Sequence, residues 1–353
     1  MKILMIGPNP QASGGISAVQ HVMLDHQHLT EIQYHHITTH IDGTMTKKIG
    51  VYFLSLWKIM IYVIHSKPDL VHIHFASRGS AARKTGVMLL LILLHKPFIL
   101  HAHGGEFHLF FSSLPPIFKS MLRAAFNKSS LLIVLSKSWK EFYSSHQLCH
   151  PDKIKVIYNP VRIPERSSTR KGSSRPFIQF VFMGKISKSK GVFDLINAIA
   201  QIPSPLLTHC VFSFAGDGAL PQLQKQISQY HLESNCRVWG WLNGIEKQRL
   251  LESGDVFLLP SYNEGVPMAL LEAMAYGMAV ITTPVGGIPE LIEMHVNGVL
   301  VTPGDIHGLT NAIIFMIENQ EMRCALKEAA EKTVRSYSAE KYMKRLESIY
   351  QQV

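Results

Sequence analysis

Short apolar runs alternate with longer runs of helical period along this chain, and few folds tolerate that rhythm. KILMIG leads to ISAVQHVMLDHQ, and LVHIHF, FILHAH and LLIVLS follow with helical stretches between them. Strands joined by helices lie parallel, and a parallel sheet covered by helices on both faces is a doubly wound α/β domain. The rhythm breaks at residues 166–176, where RSSTRKGSSRP is polar, charged and aperiodic and reads as a linker. It resumes at FIQFVFMG. The 353 residues thus divide into one Rossmann-like domain over residues 1–165 and a second over 177–338, a length that suits two domains. The two halves are expected to face each other across a crevice.

Charge is shared unevenly between them. Residues 1–170 carry 19 Lys and Arg against 8 Asp and Glu, a balance of +11, whereas residues 171–353 carry 16 against 17. The first half therefore calls for an acidic partner. Nucleic acid is disfavoured, since there is no recognised binding motif and no aromatic-basic interleaving on a strand. An anionic membrane surface fits better, because basic residues are set among apolar ones. Lys47 and Lys48 precede VYFLSLWKIMIYVIH, and LFFSSLPPIFKSMLRAAFNK sets Phe118, Met121, Leu122 and Phe126 against Lys119, Arg123 and Lys128. Each segment equally fits a core helix with a solvated basic face. Neither VYFLSLWKIMIYVI nor VMLLLILL reaches the roughly 18 residues that span a bilayer, so no transmembrane helix is predicted. Met1 to Ile6 reads as a first strand and not as a signal peptide, because Gly7-Pro8-Asn9-Pro10 ends the run too soon. Cys149, Cys210, Cys236 and Cys324 have neither metal-type nor redox-type spacing and read as free thiols in a reducing compartment.

The densest motif is SYNEGVPMALLEAMAYGMAVITTPVGGIPELI, residues 261–292. The apolar run before it ends as a strand, so Ser261 to Gly265 form a loop at a strand's carboxyl end. Pro267 is placed as the first residue of a helix that Gly277 stops. Backbone N–H groups of Gly265, Val266, Met268 and Ala269 then lie at a helix N-terminus, where dipole and donors favour a phosphate. Glu264 precedes that helix and Glu272 follows about one and a half turns in, roughly 7–8 Å of rise later. One carboxylate can take sugar hydroxyls and the other a ribose; equally, both are solvated glutamates of a helix start.

Four other strand ends carry polar motifs. Gly14-Gly15-Ile16 follows the first strand and opens a helix, so its glycines allow close approach of a phosphate or simply make a turn. In LHAHGGEF, His103 stands at the carboxyl end of a strand, where open α/β sheets bind ligands. MGKISKSKG places Lys185, Lys188 and Lys190 between Gly184 and Gly191, cations suited to a diphosphate leaving group. It lacks the glycine-lysine-serine/threonine ending of a P-loop, which disfavours ATP hydrolysis. No Asp-x-Asp pair is present to chelate a divalent ion beside a phosphate. FAGDG, with Gly216, is a fifth strand-to-turn junction, and Asp217 reads as the cap of the following turn.

Taken in order, the GGI loop, KPDLVHIH, HAHGGEF, VIYNPV, MGKISKSKG, FAGDG, EGVPMALLE, PVGGIPELI and NGVLVTPGD resemble the family 4 retaining glycosyltransferases of the GT-B fold. The resemblance implies that Glu272 binds the ribose of a nucleotide-sugar. It implies that Glu264, Gly265, Val266, Pro267 and Met268 hold donor sugar and phosphates, that Lys185 and Lys190 bind the diphosphate, and that Gly14, Gly15 and Gly216 line the same donor. His103 would stand beside the reacting anomeric carbon. The family usually has arginine where Lys185 stands, so a point charge replaces a bidentate fork. The last helix, residues 339–352, is expected to pack back on the first domain.

The expected reaction is transfer of a sugar from a nucleoside-diphosphate sugar to an acceptor hydroxyl with retention, in which His103, Glu264 and Lys190 carry the chemistry. No metal and no cofactor are expected. The acceptor is expected to be a lipid-linked glycan of surface polysaccharide synthesis, with the protein cytoplasmic and peripheral to the inner face of the cell membrane. Alternatives are a nucleotide-sugar 2-epimerase of the same fold and a non-catalytic GT-B scaffold subunit.

Overall fold

The structure, a computed structural model, describes residues 1–12, 14–41, 43–165 and 176–353. Residues 166–175, nearly all of the predicted linker, lie outside the described residues. The chain forms two compact units, Met1–Pro160 with Tyr337–Val353, and Val161–Ser336.

The first unit holds strands β1 (Lys2–Gly7), β2 (Gln33–Thr38), β3 (Leu70–Phe75), β4 (Phe98–Ala102), β5 (Leu131–Val134) and β6 (Ile154–Val156). They pair in the order β2-β1-β3-β4-β5-β6, every pair parallel. Strands β3, β4 and β5 are buried at every position, as expected of a sheet covered on both faces, whereas the edge strand β2 is partly exposed. Phe75, Phe107, Phe111 and Phe126 fill the core beside β3 and β4, each burial contributing on the order of 2 kcal/mol. The order reverses direction between β1 and β3, where open sheets of this kind place ligands at the carboxyl ends of the strands.

The last helix, Ala339–Tyr350, belongs to this unit. Ser338 accepts a hydrogen bond from the amide of Lys341 and caps it. Tyr342, Met343, Leu346, Ile349 and Tyr350 are its buried face, and Glu347 Oε1 accepts the amide of Glu31 at 3.0 Å.

The segment VYFLSLWKIMIYVI lies inside a longer helix than its apolar run suggests, Met45–Ser66, 22 residues. By length and composition alone the 22-residue helix is long and apolar enough to cross a membrane, where its apolar run fell short. The apolar run begins only after Lys48 and Gly50, but neither residue ends the helix, whose backbone hydrogen bonding continues through both. Ser55, Ile59 and Val63 turn to the core, while Ile49, Phe53, Trp57 and Ile64 form a second apolar row that is exposed.

The second unit contains β7 (Ile178–Met183), β8 (Cys210–Ala215), β9 (Cys236–Gly240), β10 (Val256–Leu259), β11 (Ala279–Thr282) and β12 (Val299–Leu300). They form a parallel sheet in the order β12-β11-β10-β7-β8-β9. Numbered within the unit this is 6-5-4-1-2-3, the arrangement of doubly wound nucleotide-binding sheets. Its direction reverses between β7 and β10. The four cysteines are free; Cys149, Cys210 and Cys236 are buried and Cys324 is exposed.

Candidate functional site

Two loops leave the second sheet on either side of its reversal point, and both are glycine-dependent. After β7 the chain runs through Gly184, Lys185 and Ile186 into a short turn, Lys188–Lys190. It is tied to the loop after β8: Gly184 N–H donates to Ala215 O at 2.9 Å, Ile186 N–H to Asp217 O at 2.6 Å, and Ala219 N–H back to Ile186 O at 2.9 Å. Only glycine fits at 216, where φ is +153° and a Cβ would stand 1.8 Å from the carbonyl oxygen of Gly184. Gly191 (φ +66°) starts the helix Val192–Ile199, and a Cβ there would stand 2.0 Å from Pro260 O. The lysine loop and the loop after β10 are thus in backbone contact.

That contact sets up the central ion pair. Lys190 Nζ donates to Glu264 Oε1 at 2.6 Å, and Ser261 Oγ donates to the same oxygen at 2.7 Å. The Glu264 side chain is 7% exposed and that of Lys190 27%. A carboxylate this buried needs such partners, because its desolvation is costly otherwise. The loop is fixed from three further sides: Tyr262 N–H donates to Ser189 O at 2.9 Å, Thr283 Oγ to Ser261 O at 2.6 Å, and Gly287 N–H to Gly265 O at 2.7 Å.

The helix Met268–Ala275 begins at once after this loop, with Pro267 as its N-cap and not as its first helical residue. Pro267 keeps an extended ψ of 126°, so the helix starts one residue later than the sequence suggests. Met268 and Ala269 are in its first turn, where amides have no intrahelical acceptor. Glu272, at its fifth position, accepts from Lys247 Nζ at 2.7 Å. Gly277 (φ +64°) follows its end and donates to Met274 O, the expected stop.

The structure therefore places Lys190, Gly216, Glu264, Gly265, Val266 and Pro267 on the loops after β7, β8 and β10, and Met268 and Glu272 on the helix that follows β10, all in one unit. Lys185 is on the loop after β7 with an exposed side chain. The helix Leu220–Gln229 has Ala219 as its N-cap with no side-chain cap, and Asp217, two residues earlier, accepts the amide of Ile186 through its carbonyl. Sequence reading missed the parts played by Lys247, which stands in no motif, and by Ser261 and Thr283, which lie inside the 261–292 motif but were not singled out within it.

In the first unit, Gly14 (φ +131°) and Gly15 are exposed at the start of the helix Gly15–Asp25. His103 follows β4, and its amide donates to Phe75 O at 2.9 Å. Its ring is held by a neighbour that sequence reading also missed: His74 Nδ1 lies 2.8 Å from His103 Nε2. Burial pulls His103 and His72 down to about 3, and His74 and His101 well below their ordinary value, so these imidazoles are neutral near pH 7. Among the described residues, His72, His74 and His101 are the only group of three or more side chains spaced for a metal, with one nitrogen from each within 4.8 Å of the others.

Two family profiles match the chain. One, described as "Glycosyltransferase Family 4", covers residues 21–163, and the other, "Glycosyl transferases group 1", covers residues 165–333. Among curated proteins, the UDP-Gal:alpha-D-GlcNAc-diphosphoundecaprenol alpha-1,3-galactosyltransferase of Escherichia coli is 28% identical over 84% of this chain and 78% of its own length. The putative teichuronic acid biosynthesis glycosyltransferase TuaC of Bacillus subtilis is 28% identical over 81% of this chain and 71% of its own. Among solved structures, Anabaena HepE in complex with UDP superposes over the whole of both chains with a TM-score of 0.78 at 19% identity, a likeness of fold.

Proposed function

The chain belongs to the family 4 glycosyltransferases, has their two-domain GT-B fold and transfers a sugar, and from that premise we propose that its donor is a nucleoside-diphosphate sugar and that transfer proceeds with retention and without a metal ion. One observation carries this reading: the Lys190–Glu264 pair, held by Ser261 where the second sheet reverses direction, beside the N-termini of two helices. Ligands of doubly wound sheets bind at that point, and helix N-termini favour phosphate.

Glu264 and the Gly265–Met268 segment take the donor sugar and phosphates, and Glu272, steadied by Lys247, takes the ribose hydroxyls. Lys190, Lys185 and the helix amides stabilise the diphosphate as it departs, the largest charge that develops in the transition state. The bond from the anomeric carbon to the diphosphate oxygen breaks, the acceptor oxygen bonds to the same face, and the acceptor proton passes to the leaving phosphate. His103 is assigned to contact with the donor sugar. The test is a thermal-shift and slow-hydrolysis screen against UDP-, GDP-, ADP- and dTDP-sugars with and without EDTA. One selective donor with EDTA-resistant release of its diphosphate is expected; no response to any of them would overturn the reading. Epimerised sugar without acceptor would identify an epimerase instead.

The acceptor is proposed to be a lipid-linked glycan, as the name of the Escherichia coli relative supports, met at an anionic membrane surface on the cytoplasmic side. Supporting this, Phe53, Trp57 and Ile64 are exposed on the helix that also carries Lys47 and Lys58, and Ile117, Phe118 and Met121 are exposed beside Lys119. The protein should float with anionic vesicles at low salt, and the double change Phe53→Ser and Trp57→Ser should abolish flotation. Equal flotation of the variant would remove this surface from the account.

A further inference from the structure

Each carboxylate of the site is met by a lysine before any ligand arrives. Lys190 Nζ stands 2.6 Å from Glu264 Oε1 and Lys247 Nζ 2.7 Å from Glu272 Oε1, all four residues inside the unit Val161–Ser336. On Glu264 the two protein donors, Lys190 and Ser261, share Oε1. No donor among the described residues meets Oε2, and that oxygen is not sealed from solvent. One oxygen therefore holds the lysine, and the other is free to accept from a ligand.

That division gives Glu264 opposite effects on the two nucleotides that the site meets. A phosphate oxygen bound to the Lys190 ammonium at about 2.8 Å lies roughly 4.5–5.5 Å from Glu264 Oε1, on the far side of the nitrogen. By inverse distance the carboxylate cancels about half of the attraction that the ammonium exerts. The donor recovers this loss, because a hydroxyl of its sugar donates to Glu264 Oε2. The nucleoside diphosphate left after transfer has no such hydroxyl, and its terminal phosphate takes on a further negative charge near pH 7, as phosphate monoesters do with a pKa of about 6. It meets the repulsion without the hydrogen bond.

We propose that Glu264 is a counterweight to Lys190 that discriminates donor from product: it fixes the ammonium, accepts from the donor sugar, and repels the spent nucleoside diphosphate so that it leaves. This rests on the reading of Lys190 as the cation for the diphosphate. Every residue it needs belongs to one unit.

Calorimetry with UDP, GDP, ADP and dTDP, each alone and as its nucleotide-sugar, tests it. Glu264→Gln keeps an amide oxygen for Lys190 and Ser261 and removes the charge. The nucleoside diphosphate that binds the unaltered protein is expected to bind this variant on the order of 10-fold tighter, the low end of what one charge does to another at 4–6 Å. The matching nucleotide-sugar is expected to gain nothing, since the stronger phosphate contact is offset by a weaker bond to the sugar hydroxyl. The nucleoside alone is expected to be indifferent. Unchanged or weaker diphosphate binding, or an equal gain for the nucleoside, overturns the counterweight and leaves the donor site standing. An equal gain for the nucleotide-sugar overturns the discrimination. If none of the four diphosphates binds either protein, the reading of the site itself fails. A second measurement needs no variant: in the unaltered protein the diphosphate should bind no more tightly than its nucleotide-sugar, and a product that binds much more tightly than the donor contradicts the proposal.

Discussion

Lys190→Ala is expected to lower kcat for sugar transfer by about 10²–10³-fold, the effect of removing one preorganised group that stabilises a departing anion. Lys190 is held 2.6 Å from Glu264 by a turn whose backbone is locked against the loop after β10, so its ammonium is in place before the reaction begins. The same change leaves a carboxylate that is 7% exposed with Ser261 as its remaining donor, which costs stability as well. The two losses separate in the double variant Lys190→Met with Glu264→Gln. Its neutral pair restores Tm while turnover stays low. Recovery of turnover along with Tm would show that the pair is structural and that the diphosphate is met elsewhere. Lys190→Arg, which keeps the positive charge, should retain most of the activity.

Glu272→Ala should lower kcat/KM for the donor by about two orders of magnitude, since hydrogen bonds to a charged carboxylate contribute about 1.5–3 kcal/mol. If the carboxylate meets the ribose, a donor lacking the ribose 2′- and 3′-hydroxyls should lose most of its kcat/KM with the unaltered protein and little more with the variant. Additive losses would show that Glu272 contacts something else. Lys247→Ala, which frees Glu272 from its 2.7 Å partner, should cost only a few-fold, because Lys247 orients the carboxylate and does not replace it.

The residues of both predictions except Lys247 were legible in the sequence, but their relations were not. Lys190 and Glu264 were each singled out by a loop at the end of an apolar run; that they pair depends on contact across 74 residues of chain, which no local pattern reports. Lys247 lies in an ordinary amphipathic helix, Gly244–Ser253, with no motif around it. The doubly wound character of both sheets followed from strand-helix alternation, while the two strand orders required the pairing itself. His103 stood out by its place after a strand. Its hydrogen-bond contact with His74 was hidden because a histidine inside an apolar strand reads locally as one more buried residue, and only the pairing of β3 with β4 brings the two rings together. Apolar counting also understated the length of the helix Met45–Ser66, since Lys48 and Gly50 interrupt hydropathy without interrupting helical hydrogen bonding.

The most direct test of the central claim is the anomeric configuration of the product. Purified protein would be incubated with its selected nucleoside-diphosphate sugar, a lipid-diphosphate glycan acceptor and EDTA, and the new glycosidic linkage read by NMR coupling constants. Transfer in EDTA with the donor's own anomeric configuration is the predicted result; an inverted linkage, or transfer that needs an added divalent ion, would contradict the account.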